Sequence, residues 1–143
     1  MGLNYVVNDI ELLGTTVREL KIENMIVDVE KDGKRNFGLC INEPKFQKTE
    51  EGLFGQLCID FEVEIVQPED KVCKIELSLE GAFLSERDSE DEKFKELVLV
   101  NGAAALIGIA RGKIEAISAN IFNNGKIVIP FVNVIDYYKE CSE

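Results

Sequence analysis

Carboxylates are the residues in this chain whose type and spacing could do chemistry. Asp60 and Glu62 lie two apart, Glu76 and Glu80 four apart. Paired carboxylates can divide general acid and general base work. Both pairs, however, are interleaved with apolar residues. Leu57, Ile59, Phe61, Val63 and Ile65 alternate with Cys58, Asp60, Glu62 and Glu64, and Cys73, Ile75, Leu77 and Leu79 alternate with Lys74, Glu76, Ser78 and Glu80. That is the period of strands with one buried and one wet face, so the carboxylates are expected on a solvated sheet. The chain has no histidine, the commonest general base. It has no GxSxG elbow and no phosphate-cradling loop, because Gly102, Gly108 and Gly112 fall in a helical pattern. Cys40, Cys58, Cys73 and Cys141 form no CxxC pair. They read as reduced, mostly buried small apolar residues, with a structural disulfide as the alternative. No catalytic activity, metal or cofactor is expected. The rival reading is a small-molecule-binding or hydrolytic domain built on the face of Asp60, Glu62 and Glu76.

The elements that would position these residues are strands first and helices last. The two alternating runs, joined by a turn at Pro68 and Asp70, predict an antiparallel hairpin. Upstream, Phe37, Leu39 and Ile41 share a face, and Pro44 ends that run or marks an edge. An earlier strand is expected over residues 8–22. There Leu13 and Val17 fall out of phase with Ile10, Leu12, Leu20 and Ile22, which predicts a bulge or bend near Gly14. Ser89 and Glu92 resemble a capping box for a short helix, and Asn101 offers an N-cap for a long one over about 102–120.

The long helix has two stripes. Ala103, Leu106, Ala110, Ile114, Ile117 and Ile121 are expected to pack on the sheet. Ala104, Gly108, Gly112, Ala116 and Ala119 form a second stripe of small residues. Interior glycines each cost about 1 kcal/mol relative to alanine. Close approach of another helix would explain Ala104, Gly108 and Gly112; simple tolerance of small residues at a surface is the alternative. Asn123, Asn124 and Gly125 break the helix, an apolar extended loop follows, and Asn133 is expected to cap a last short helix.

The 143 residues suit a single domain spanning 1–143. A net charge of −11 argues against nucleic-acid binding. No apolar run reaches membrane-spanning length, since Asn101 and Gly102 interrupt the longest. The N-terminus lacks a signal-peptide pattern and the hydroxyl residue of a myristoylation signal. A soluble, acidic, cytoplasmic protein is expected.

The order and spacing of these pieces resemble the SecB family of export chaperones. The segment IELLGTTVRELKIEN is similar to the family's first strand, and VCKIELSLEGAF to its fourth. ALIGIARGKIEAISANIF is similar to the main helix, with Ala110, Arg111 and Ile114 at the family's Ala-Arg-x-x-Ile positions, and IVIPFVNV to the loop entering the final helix. Where the family has Phe-Pro-Tyr before the Ala-Arg pair, this chain has Ile107-Gly108-Ile109. The resemblance implies an α+β fold: a four-stranded antiparallel sheet with a long helix and a short C-terminal helix packed on one face. It implies a homotetramer, a dimer of dimers, that binds unfolded polypeptides or preproteins without ATP or cofactor. It also implies a patch for the SecA motor at Glu19, Glu23 and Glu76. Protection of an antitoxin or another dedicated client is the alternative to export. Client contact is expected at Met25, Val27, Phe122, Ile127, Ile129, Phe131, Ile135 and Tyr138, in a groove between the apolar loop, the last helix and residues 25–29. Ile129 and Ile135 have ordinary core packing as their alternative.

Overall fold

The period-two runs become two long central strands. β4 (Gly52–Gln67) and β5 (Lys71–Ser85) pair antiparallel from Phe54↔Leu84 to Gln67↔Lys71. Ile59, Val63 and Ile65 on β4 and Cys73, Ile75 and Leu79 on β5 are fully buried, while their neighbours stay open on the other face. Pro68 and Asp70 announce the turn, and Glu69 and Asp70 both take left-handed backbone angles, at φ of 66° and 57°. That hand of turn matches the twist of a hairpin. The structure, a computed structural model, describes residues 10–85 and 90–141.

The sheet is antiparallel in the order β1-β5-β4-β2, with β1 spanning Ile10–Asn24 and β2 spanning Lys34–Ile41. β3 (Lys45–Thr49) pairs with β4 beyond the end of β2. The expected four strands are therefore five by count, in four positions. Proline has no amide proton for the ladder, so Pro44 interrupts the outer strand, which resumes as β3.

β1 carries two register shifts, at Leu12/Gly14 and Val17/Glu19. The first is the bulge expected near Gly14; the second falls at Arg18. Each extra residue reverses which face the following side chains take. Together they return Leu12, Val17, Leu20 and Ile22 to the side of their buried partners Phe83, Leu79, Leu77 and Ile75.

The helical part is one run. α1 (Asp91–Leu97) passes through a π turn (Val98–Gly102) into α2 (Ala103–Ala119). Asn101 lies inside that π turn, so the N-cap expected there is corrected; Ser89 lies outside the described residues. The π turn adds one residue to the spacing. Phe94, Val98, Ala103, Leu106, Ala110 and Ile114 then all reach the sheet and are buried. Without the five-residue step from Val98 to Ala103, the two halves of the stripe would point in different directions. At Gly81 a Cβ would stand 2.6 Å from Leu106 Cδ2, so the missing side chain makes room for Leu106 on β5. Because Asn101 and Gly102 do not break it, the run from Asp91 to Ala119 is long and apolar enough to cross a membrane by length and composition. Its apolar stripe is occupied by the sheet, as in a core helix.

After α2 the chain reverses at Gly125, whose φ is +92°. It then runs back along the helix on a series of ties. Ile127 N donates to Ser118 Oγ at 2.9 Å, and Ile129 N donates to Glu115 Oε1 at 3.1 Å. The Phe131 ring lies 4.1 Å from the Arg111 guanidinium. Asn133 Oδ1 accepts from Asp136 N at 3.1 Å, which caps α3 (Val134–Cys141) as expected.

Candidate functional site

The apolar loop divides by side-chain direction. Ile127 and Ile129 point inward with Phe122 and are buried in the core. Their placement in the client groove is therefore corrected: the hydrogen bonds that tie the loop to Ser118 and Glu115 turn these side chains under it. The outward set is Val128, Phe131 and Ile135, with Phe131 88% exposed. Met25 and Val27 are also exposed. Their connection is fastened to the turn after α2, because Asn123 N donates to Val27 O at 2.8 Å and Val29 N donates to Asn124 O at 3.0 Å. Asp28 accepts from the side-chain amides of both Asn123 and Asn124. Phe131 is held over Arg111, so an apolar ring stands in solvent on a fixed base.

A larger feature lies at the other end of α3. A cleft of about 930 Å³ opens where β2 breaks at Pro44, beside the π turn and the last helix. Ile41, Pro44, Phe46, Leu99, Val100 and Tyr138 supply its apolar lining. Glu43, Glu92 and Glu96 stand around it with one cation, Lys95, which lies 3.9 Å from Glu92 and over the Phe46 ring. Of the groove residues expected from sequence, only Tyr138 lines this cleft. Its hydroxyl is buried without a hydrogen-bond partner. Burial, and then the neighbouring Tyr137 and Cys141, hold its pKa above the ordinary phenol value. Leu99 and Val100 were hidden in the apolar run LVLV, where only the π turn decides which residues leave the core-facing stripe.

Tyr137 closes one side of the cleft. Its hydroxyl accepts the backbone N–H of Ile41 at 2.9 Å. β2 is the last strand of the sheet, so this phenol occupies a ladder position on an unpaired edge. The Ile41 bond favours the ionised form, but burial and the nearby Cys141 and Cys40 thiols outweigh it and leave the hydroxyl's pKa raised.

The wet face of the sheet gathers the carboxylates. Glu19, Glu23 and Glu76 do share it, but in a mixed lattice. Lys74 bridges Glu62 at 3.2 Å and Glu76 at 3.4 Å, and Lys21 lies 3.2 Å from Glu19. The hydrogen bonds to Glu62 and Glu76 raise the pKa of Lys74. Asp60 accepts from Ser78 Oγ and from Asn42 Nδ2 at 3.0 Å, and Arg18 bonds Glu80. An open depression of about 330 Å³ lies over Glu19, Asp60, Glu62 and Glu76, above the missing side chain of Gly38. Among the described residues, no three of the His, Cys, Asp and Glu side chains are grouped to hold a metal ion.

The small-residue stripe of α2 is solvent-facing throughout: Ala104, Gly108, Gly112, Ala116 and Ala119 are exposed. A Cβ at Gly108 or Gly112 would meet nothing within 4 Å. Packing within this chain therefore gives no reason for glycine there. On β1, the sequence-aligned apolar row of Leu12, Val17, Leu20 and Ile22 is 39–43% exposed, because α2 lies over β4 and β5 and stops short of it.

No family model matches the chain, and no curated protein matches it in sequence. Among solved structures it is similar to the SecB-like chaperone Rv1957 of Mycobacterium tuberculosis, determined in complex with a ChAD peptide from the HigA1 antitoxin Rv1956. The identity is 9%, the TM-score 0.62, and the match covers 87% of this chain and 91% of that one. A protein of unknown function from Streptococcus agalactiae is more distant, at 11% identity and a TM-score of 0.46, covering 85% of this chain and 97% of that one. The likeness is one of fold: this chain has the α+β architecture of a SecB-like chaperone, an antiparallel sheet carrying a long helix and a short C-terminal helix.

Proposed function

We propose that this chain is a non-catalytic, ATP-independent chaperone that holds unfolded polypeptide segments. The observation that carries the reading is the 930 Å³ cleft with its apolar lining. Its size suits apolar side chains entering from an extended segment, and the unpaired edge of β2 beside it offers main-chain hydrogen bonds. The surrounding carboxylates favour segments with basic residues next to apolar anchors. Phe131, Met25, Val27 and Ile135 form a second apolar surface for a long client.

Assembly as a homotetramer, a dimer of dimers, completes the proposal. The exposed apolar row of β1 and the small-residue stripe of α2 are two separate surfaces that a partner copy would cover, and two surfaces per subunit are what a dimer of dimers requires. The reading places the protein in the cytoplasm with no membrane span. Of the two client classes, a dedicated client such as an antitoxin is better supported than export. The structural neighbour holds an antitoxin peptide, and Lys74 and Lys21 dilute the acidic patch that a SecA-like motor would meet.

The test is suppression of aggregation of a chemically unfolded client. Leu99→Glu in the cleft is expected to weaken client binding about tenfold, equivalent to about 1.4 kcal/mol. Phe131→Asp is expected to weaken it less, with the fold intact by circular dichroism in both. Full holdase activity in the folded double variant would remove the cleft as the client site.

A further inference from the structure

We propose that Asn124 is a site of spontaneous covalent modification, at which the backbone nitrogen of Gly125 displaces the side-chain amide and leaves an aspartate or isoaspartate beside Asp28. The chain contains two Asn-Gly pairs, Asn101-Gly102 and Asn124-Gly125. They are alike in sequence, and the fold separates them. Asn101 and Gly102 lie inside the π turn, where backbone amides are engaged in the helical ladder. A helical side chain also points back toward the N-terminus, away from the nitrogen of the next residue. Gly102 is buried, with Phe83 close against it.

Asn124 and Gly125 are exposed in the turn after α2. Among the described residues, no group accepts the Gly125 N–H. The reacting atoms belong to adjacent residues, so rotation about Asn124's own bonds brings them together. Glycine has no β-carbon to obstruct that approach. Nor can the turn exchange this glycine for another residue. Its φ is +92°, and a Cβ there would stand 2.8 Å from Val29 Cβ. The close packing that fastens residues 25–29 to the turn therefore keeps the reactive pair in place.

The Gly125 nitrogen gives up its proton to hydroxide and bonds to Asn124 Cγ. The Cγ–Nδ2 bond breaks, and the nitrogen leaves as ammonia with a proton from water. Water then opens the cyclic imide. Cleavage of the new Cγ–N bond gives aspartate. Cleavage of the original peptide bond gives isoaspartate, whose main chain runs through Cβ and Cγ. Nothing is oxidised or reduced, and water is the only co-reactant. The Asn124 side-chain amide now donates to Asp28 Oδ1 at 3.2 Å, and its backbone carbonyl accepts from Val29 N at 3.0 Å. Aspartate puts a carboxylate where Asp28 meets that donor. Isoaspartate turns the carbonyl that Val29 bonds into a free carboxylate and lengthens the main chain. Either product loosens the connection that carries Met25 and Val27. The consequence for clients rests on the function proposed above; the modification itself does not.

The experiment incubates the folded full chain at mildly alkaline pH, beside the same chain in denaturant, and maps the peptides of both over time. In denaturant the two Asn-Gly pairs should convert at similar rates. In the folded chain Asn124 should convert, mainly to isoaspartate, about tenfold faster than Asn101 or more, because a helical amide must first open. Asn124→Gln should keep the fold and stop the reaction at this position. In Asn124→Asp, amide exchange at Val29 should quicken about fivefold, as for two exposed like charges about 4 Å apart in water. Unchanged exchange there would overturn the loosening. An intact Asn124 in the folded chain, or Asn101 converting as fast, would overturn the modification. Unaltered client holding by Asn124→Asp would count against the Met25 and Val27 surface as a client contact and leave the modification standing.

Discussion

β5 and β1 are neighbouring strands of equal length, 15 residues each, and they are treated very differently by the fold. Along β5 every second side chain is buried, from Cys73 to Ser85. Along β1 no residue is buried, although Leu12, Val17, Leu20 and Ile22 stand on the same side of the sheet as β5's core residues. The difference lies in what covers them. The missing side chain at Gly81 makes room for Leu106 on β5, and α2 lies over β5 and β4, not over β1. The chain thus carries more ordered apolar surface than it covers itself. In a strand paired on one side only, such a row is the kind of surface at which proteins associate.

Three measurements sharpen or break this contrast. The largest effect is expected at Leu106, fully buried between α2 and the central strands. Leu106→Ala should cost about 2–5 kcal/mol in denaturant unfolding, as for other buried leucines. A loss below 1 kcal/mol would mean that the helix is not the cover of β5.

Next in size is a pH effect on β5. Burial pushes the Cys73 thiol up to about 11 from its ordinary value of 9.0. A thiol that holds its proton more tightly when folded stabilises the fold fully below pH 9. That contribution is lost as pH rises through 9 toward 11. Its loss should be on the order of 1–3 kcal/mol, from two pKa steps of 1.36 kcal/mol each. Cys73→Val should flatten this part of the pH profile relative to the unsubstituted protein; an unchanged slope would place the thiol in contact with water.

The smallest change in subunit stability, within about 0.5 kcal/mol, is expected from Val17→Lys with Leu20→Lys on β1. The same pair should halve the assembly mass in light scattering, and Gly108→Leu should break the assembly at the helix instead. If both variants keep the mass of the unsubstituted protein, neither surface is an interface, and the exposed row of β1 is exposed in solution as well.

The central hairpin, the bulge near Gly14, the break at Pro44 and the Asn133 cap were legible because each is a local signal. Alternating polarity, glycine, a missing amide proton and a short side chain beside a free N–H act within a few residues. The candidate site was legible only in part. Sequence alternation could say that the loop from Ile127 to Phe131 would not bury every side chain. It could not say that Ser118 and Glu115 would draw Ile127 and Ile129 inward while Arg111 held Phe131 out. The cleft was not legible at all. It depends on a π turn that shifts Leu99 and Val100 off the core-facing stripe, and on a strand break about 55 residues away in the chain that brings Ile41 and Phe46 beside them.

What the sequence determined by itself was the kind of molecule: strands then helices, one acidic sheet face, and more apolar surface than a chain of this length hides. Periodicity and composition carry that information because secondary structure repeats every 2 or 3.6 residues. What only the tertiary structure decided was which apolar residues are covered. Coverage is set by helix depth and width on the sheet, by bulges that reverse β1's faces, and by hydrogen bonds between residues far apart in the chain.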